Sequence, residues 1–193
     1  EAKLKEALTL APGDPDTLEA LIKVRGIQKD YDGARNYLQD AIKADPTQPK
    51  PRHTFGLLMY NAARYDDARE VFRQLVEMNP KDGEAHFQLA NVYRKENKVA
   101  DATKHYNEAI SAIPNHAAAF NNLGMLQMSQ ELASESVSNF KQAIALDPKN
   151  VNYKMNLGKA LEACQRYREA GSLWEEILTL NLNPEQQDEA ITR

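Results

Sequence analysis

Four histidines, one cysteine and one pair of adjacent aspartates are the side chains of this sequence best suited to chemistry. His53, His86, His105 and His116 could ligate a metal or carry a proton. A zinc site on a helix needs two histidines at i and i+4, or a Cys-x-x-Cys pair, and neither spacing occurs. His53 and His86 occupy adjacent columns of a repeat set out below, and the other two fall on other faces. Cys164 is alone, so no internal disulfide can form, and no base is placed to activate it. It reads as an inert thiol, compatible with a reducing compartment such as the cytoplasm. Asp66-Asp67 stand where a helix should begin, and carboxylates there complement the helix dipole. No glycine-rich phosphate loop and no Gly-x-Ser-x-Gly elbow is present. The residues therefore predict no catalytic group, no metal and no cofactor.

Composition narrows the class of partner. The net charge is −4, with acidic and basic residues interspersed and no basic stripe to track phosphates. Nucleic acid is not an expected partner, because the aromatic residues recur as core positions rather than as a stacking platform. No stretch approaches the roughly 18 apolar residues of a membrane span, so no membrane insertion is expected. At 193 residues the chain fits one globular domain or one short array.

The elements that would position any site are announced by a period. Pro12, Pro46, Pro80, Pro114 and Pro148 stand 34 residues apart, a repeat signature. Five full units follow, 15–48, 49–82, 83–116, 117–150 and 151–184. Residues 1–14 are a partial unit and 185–193 start a further helix. The chain thus opens inside one unit and ends inside another, and reads as a fragment of a longer protein. The eighth column of the units is mostly small: Ile22, Gly56, Ala90, Gly124, Gly158. The twentieth is Ala34, Ala68, Ala102, Ser136, Ala170, and the twenty-fourth is Leu38, Phe72, Tyr106, Phe140, Trp174. Small residues let two helices approach, and the large side chain fills the space beside them. Each unit reads as two antiparallel helices, over roughly positions 2–14 and 17–30. Asp14-Pro15 and Asn183-Pro184 are helix starts. Asp32, Asp66 and Ser134 are expected caps of second helices, and Pro49 with Pro51 a stiff start to unit 2.

This pattern resembles the tetratricopeptide repeat, with NNLG (121–124), MNLG (155–158) and ALDP (145–148) typical of it. The resemblance covers essentially the whole chain and implies an all-α, right-handed α-solenoid of antiparallel helix pairs. One departure is in the turn between paired helices, where the family often has glycine. Here that column is Lys29, Ala63, Asn97, Glu131, Gln165, of which only Asn97 suits a left-handed conformation well.

The resemblance also implies that first helices line a concave face through unit positions 2, 5, 6, 9, 12 and 13. Six of the fifteen asparagines and three of the five methionines fall in this set. The residues singled out are Tyr60, Phe87, Gln88, Asn91, Arg94, Asn121, Asn122, Met125, Asn152, Met155, Asn156 and Lys159. An Asn amide can donate to a carbonyl and accept from an N–H, which matches an extended peptide backbone. Met125, Met128 and Met155 offer an adaptable apolar floor, and Tyr60 and Phe87 could anchor one large side chain. The asparagine parts of the family's carboxylate clamp are present but its basic parts are missing. Asn122 and Asn156, with Gln88, partly match the asparagine ladder of the O-linked N-acetylglucosamine transferase array. The expectation is a non-catalytic scaffold holding a mostly neutral peptide or protein. The alternatives are a substrate-recruiting array of a larger enzyme, such as a glycosyltransferase, or self-association through the array ends.

Overall fold

The computed structural model describes residues 1–180 and 182–193. Among the described residues it has twelve α-helices and no strand. These are α1 (Ala2–Leu10), α2 (Pro15–Ile27), α3 (Tyr31–Ala44), α4 (Lys50–Asn61), α5 (Tyr65–Met78) and α6 (Gly83–Lys95). They continue as α7 (Val99–Ala112), α8 (Ala117–Met128), α9 (Ala133–Leu146), α10 (Val151–Ala163), α11 (Tyr167–Leu178) and α12 (Pro184–Ile191). The residues gather into two compact units, 1–108 and 109–193.

Local chemistry accounts for most helix starts. Asp14 accepts a hydrogen bond from the Thr17 amide at 2.8 Å, and Pro15 occupies the first helical position of α2. Asp82 caps α6 through the Ala85 amide, and His116 caps α8 by accepting from the Ala119 amide. Asn183 and Gln186 form a reciprocal capping box at α12. Pro49 and Pro51 flank the first residue of α4, as expected of a stiff start. The expected caps of the second helices stand two places too late. Asp32, Asp66 and Ser134 lie inside the first turns, and the capping positions are Asp30, Arg64 and Leu132. Of these, Asp30 caps with its side chain, accepting from the Gly33 amide at 2.9 Å.

The turn column explains the shift. Lys29, Ala63, Asn97, Glu131 and Gln165 all have φ between 57° and 62°, left-handed whatever the residue type. Each turn closes by the same two backbone bonds. After α4, the Arg64 amide donates to the Met59 carbonyl and the Ala63 amide to the Tyr60 carbonyl. That double closure sends the chain directly into the next helix, so the cap position is the residue after the left-handed one. A side chain at the left-handed position costs energy that glycine avoids. Ala63→Gly and Glu131→Gly are each expected to raise stability by about 0.5–1 kcal/mol, and Asn97→Gly by less. Urea denaturation checks this, and a loss of stability in all three would contradict it.

Packing follows the small and large columns. A Cβ built on Gly56 would lie 2.8 Å from the ring of Phe72; on Gly124, 2.8 Å from Phe140; on Gly158, 2.6 Å from Trp174. Each ring lies flush on a helix backbone that lacks a side chain. Where the eighth column is the larger Ile22, the twenty-fourth is the smaller Leu38, and both belong to the first unit's core with Phe55, Met59, Phe72 and Leu89. The second unit's core gathers Phe140, Met155, Leu161, Trp174 and Ile177.

Candidate functional site

In the first unit, α4 and α6 carry the five expected contact residues. Tyr60 packs edge-on against Tyr65 at 5.8 Å, and burial pushes its phenol pKa up. Phe87 lies 6.1 Å from the Tyr106 ring. Gln88 donates to Glu84 at 2.6 Å. Asn91 is more enclosed than its column predicts, at 7 % exposure. Its Oδ1 accepts from the Tyr106 hydroxyl at 2.7 Å, and Arg94 Nε donates to the same hydroxyl at 3.3 Å. Asn91 is therefore tied to the core as well as placed on the first-helix face.

In the second unit, α8, α10 and α12 bring the remaining candidates together. Asn156 on α10 donates to Asn121 Oδ1 on α8 at 2.8 Å. Asn121 donates in turn to Asn122 Oδ1 at 3.2 Å. Gln186 on α12 donates to Asn152 Oδ1 on α10 at 2.9 Å. Side-chain amides thus pair from one first helix to the next. Asn121 is buried, and Met155 lies in the core at 4 % exposure, so it is less of a free apolar floor than expected. Met125, 40 % exposed, does present its side chain. Between α10 and α12 lies a cleft of about 310 Å³ bordered by Asn152, Met155, Asn156, Lys159, Gln186 and Glu189. Lys159 pairs with Glu189 at 2.7 Å, so the charge it brings there is balanced.

The same columns are bridged differently in the first unit. Asp16 and Lys50 stand 3.5 Å apart where the second unit has Asn152 and Gln186. Thr54 donates to Glu19 at 3.0 Å where the second unit has Asn156 and Asn121. Three of these four positions are charged in the first unit, and all four are neutral amides in the second.

Two features were not singled out from the sequence. One is an apolar groove of about 430 Å³ in the first unit, bordered by Gly26, Ile27, Leu57 and Leu58. Ile27 is 84 % exposed there; its inner-face column was the available signal. The other corrects the reading of the histidines. His105 does not lie on a separate face, because its Nδ1 meets His86 Nδ1 at 2.8 Å. Those residues are 19 apart on different helices, a separation that no helical spacing rule detects. Among the described residues no group of three or more His, Cys, Asp or Glu could hold a metal. Cys164 is half-buried, with Ser134 Oγ 3.9 Å away. No helix is long and apolar enough to cross a membrane among the described residues.

A family model for the tetratricopeptide repeat matches residues 53–117 and 121–181, more than half of the chain. The chain belongs to the tetratricopeptide repeat family. Its fold class is accordingly the all-α solenoid of antiparallel helix pairs, and that fold implies a protein-interaction scaffold. Solved structures agree on the fold. MamA from Desulfovibrio magneticus RS-1 superimposes with a TM-score of 0.74 at 22% identity, over 88% of this chain and 97% of that one. YrrB, a TPR protein with an unusual peptide-binding site, gives 0.75 at 15% identity over 98% of each chain. Yeast Tom70 gives 0.76 at 23% identity, over 98% of this chain and 41% of its own. None of the curated proteins compared with the chain by sequence matches it.

Proposed function

We propose that this repeat array is a non-catalytic docking module for an extended, largely uncharged peptide segment of a partner protein. The observation that carries the reading is the amide relay of the second unit, Asn156 to Asn121 to Asn122, with Gln186 to Asn152 beside it. Each of these bonds holds an amide in one orientation, and an amide has up to four hydrogen-bonding sites. Asn152 and Asn156, each fixed through one side-chain atom, present the other in a set direction, which suits an N–H or C=O of a peptide main chain. The cleft between α10 and α12 supplies concave space beside Asn152 and Asn156. Met125, exposed on α8, is proposed as an apolar contact, and the largely buried Met155 borders the cleft. Lys159 is neutralised by Glu189, which disfavours selection for an acidic terminus. In the first unit, Tyr60, Phe87, Gln88, Asn91 and Arg94 are the proposed contact residues.

Panning a random twelve-residue peptide library on the immobilised chain tests the reading. The expected winners have near-zero net charge, and their affinity changes less than threefold between low and high salt. Asn152→Ala with Asn156→Ala is expected to weaken them at least tenfold while far-UV circular dichroism is unchanged. Selection of acidic C-termini, or equal binding by the double variant, would overturn it. Asn91→Ala is a poorer test, because it also removes the acceptor of the buried Tyr106 hydroxyl.

A further inference from the structure

His86 on α6 and His105 on α7 face each other with their rings stacked, centroids 5.1 Å apart and planes inclined by 29°. Tyr93, also on α6, stacks on His105 at 5.5 Å. His86 Nε2 lies 3.1 Å from the Pro80 carbonyl. A carbonyl only accepts, so His86 Nε2 carries a hydrogen and donates it. In the neutral ring that leaves Nδ1 as a lone pair, and the 2.8 Å contact is filled by the Nδ1–H of His105. A first proton on His86 Nδ1, with the hydrogen of neutral His105 moved to its far Nε2, still leaves one N–H···N bond between the two Nδ1 atoms. A second one puts hydrogens on both Nδ1 atoms, and two N–H groups cannot share 2.8 Å.

We infer that the His86–His105 pair is a proton-operated latch between α6 and α7, closed while the two rings hold at most one extra proton and opened when both are cationic. The surroundings favour the closed form at neutral pH. His86 is buried, at 6 % exposure. Burial chiefly, then the positive charges of His86 and Lys104, pushes the His105 pKa down to about 4, with Asp101 and Glu108 opposing. From α6, Tyr93 covers His105, and Lys98 lies 5.8 Å over the Tyr93 ring. Asp82, at the start of α6, is engaged by His53 at 3.2 Å.

The sign of the effect follows from linkage. An unfolded histidine takes its proton near pH 6.5, and folded His105 near pH 4. The unfolded chain therefore binds more protons between those values, and stability contributed by this group falls as pH drops from about 6.5 to about 4. Because α6 also carries Phe87, Gln88 and Asn91, the latch would govern the first unit's own proposed contact residues. That consequence rests on the functional reading above, whereas the latch is tested with no ligand present.

The test is a nitrogen-15 NMR titration of the imidazoles, with melting curves of wild type and His105→Gln at pH 7.5 and pH 4.5. His105 is expected to titrate below pH 5. Wild type should lose roughly 5 °C more in Tm between the two pH values than His105→Gln. In His86→Gln, the His105 pKa should rise, because one cationic neighbour is gone. Titration of His105 near pH 6.5 in the folded wild type overturns the proposal, as does an equal loss of Tm in both proteins. Should His105→Gln fail to fold, the wild-type titration decides alone.

Discussion

Trp174→Ala is expected to destabilise the chain by about 3–5 kcal/mol, among the largest losses available to a single substitution here. The indole is 4 % exposed and lies flush on α10, where Gly158 offers no side chain. Truncation leaves a hole that a rigid helix backbone cannot close, so the cavity cost adds to the lost burial. The hydrogen bond contributes less. Trp174 Nε1 donates to Glu162 at 2.8 Å, but Glu162 also pairs with Arg193 at 2.7 Å and keeps a partner. Trp174→Phe, which retains a ring, should therefore cost only about 1–2 kcal/mol. Far-UV circular dichroism in urea is the suitable readout, since Trp174 is the chain's single tryptophan. A loss below 1 kcal/mol for Trp174→Ala would contradict the packing described.

The second large effect lies on the opposite side of the same contact. Alanine is the better helix former by about 1 kcal/mol, so Gly→Ala inside a helix ordinarily stabilises. At Gly158 the new Cβ would sit 2.6 Å from Trp174 Cζ2 and 2.7 Å from Cε2. The ring or the helix must move, and Gly158→Ala is expected to cost about 2–3 kcal/mol. Gly171, in the middle of α11, meets nothing within 4 Å. Gly171→Ala should therefore stabilise by about 0.5–1 kcal/mol. In a Trp174→Ala background the clash is gone, and Gly158→Ala should become neutral or favourable. That reversal is a coupling of at least about 2 kcal/mol between the two sites, measurable by a double-mutant cycle. Additive losses would show that the glycine and the indole do not meet.

Much of this architecture is legible in the residues, because it is periodic. The small and large columns mark the helix contacts through volume alone, and close approaches occur at those columns, Gly56 with Phe72 and Gly124 with Phe140. The helix starts at Asp14 and Asn183 need only the few residues that follow them. The turns were harder to read. Lys29, Ala63, Glu131 and Gln165 have no local preference for φ near 60°, yet all adopt it. Packing of the two flanking helices outweighs the local cost of about 1–2 kcal/mol for a left-handed residue.

The candidate site divides the same way. The sequence by itself determined the repeat, the helix pairs and which columns carry Asn and Met, since these depend on residue type at a constant period. Only the tertiary structure decided what those side chains do. It turned Asn91 toward Tyr106, sank Met155 into the core, paired Asn156 with Asn121 and set His105 against His86. Such contacts join residues 15 to 35 positions apart on different helices. Their geometry depends on how two helices cross and which rotamers that crossing permits, and a hydrogen bond lost to a 1 Å shift leaves no trace in a pattern of residue types.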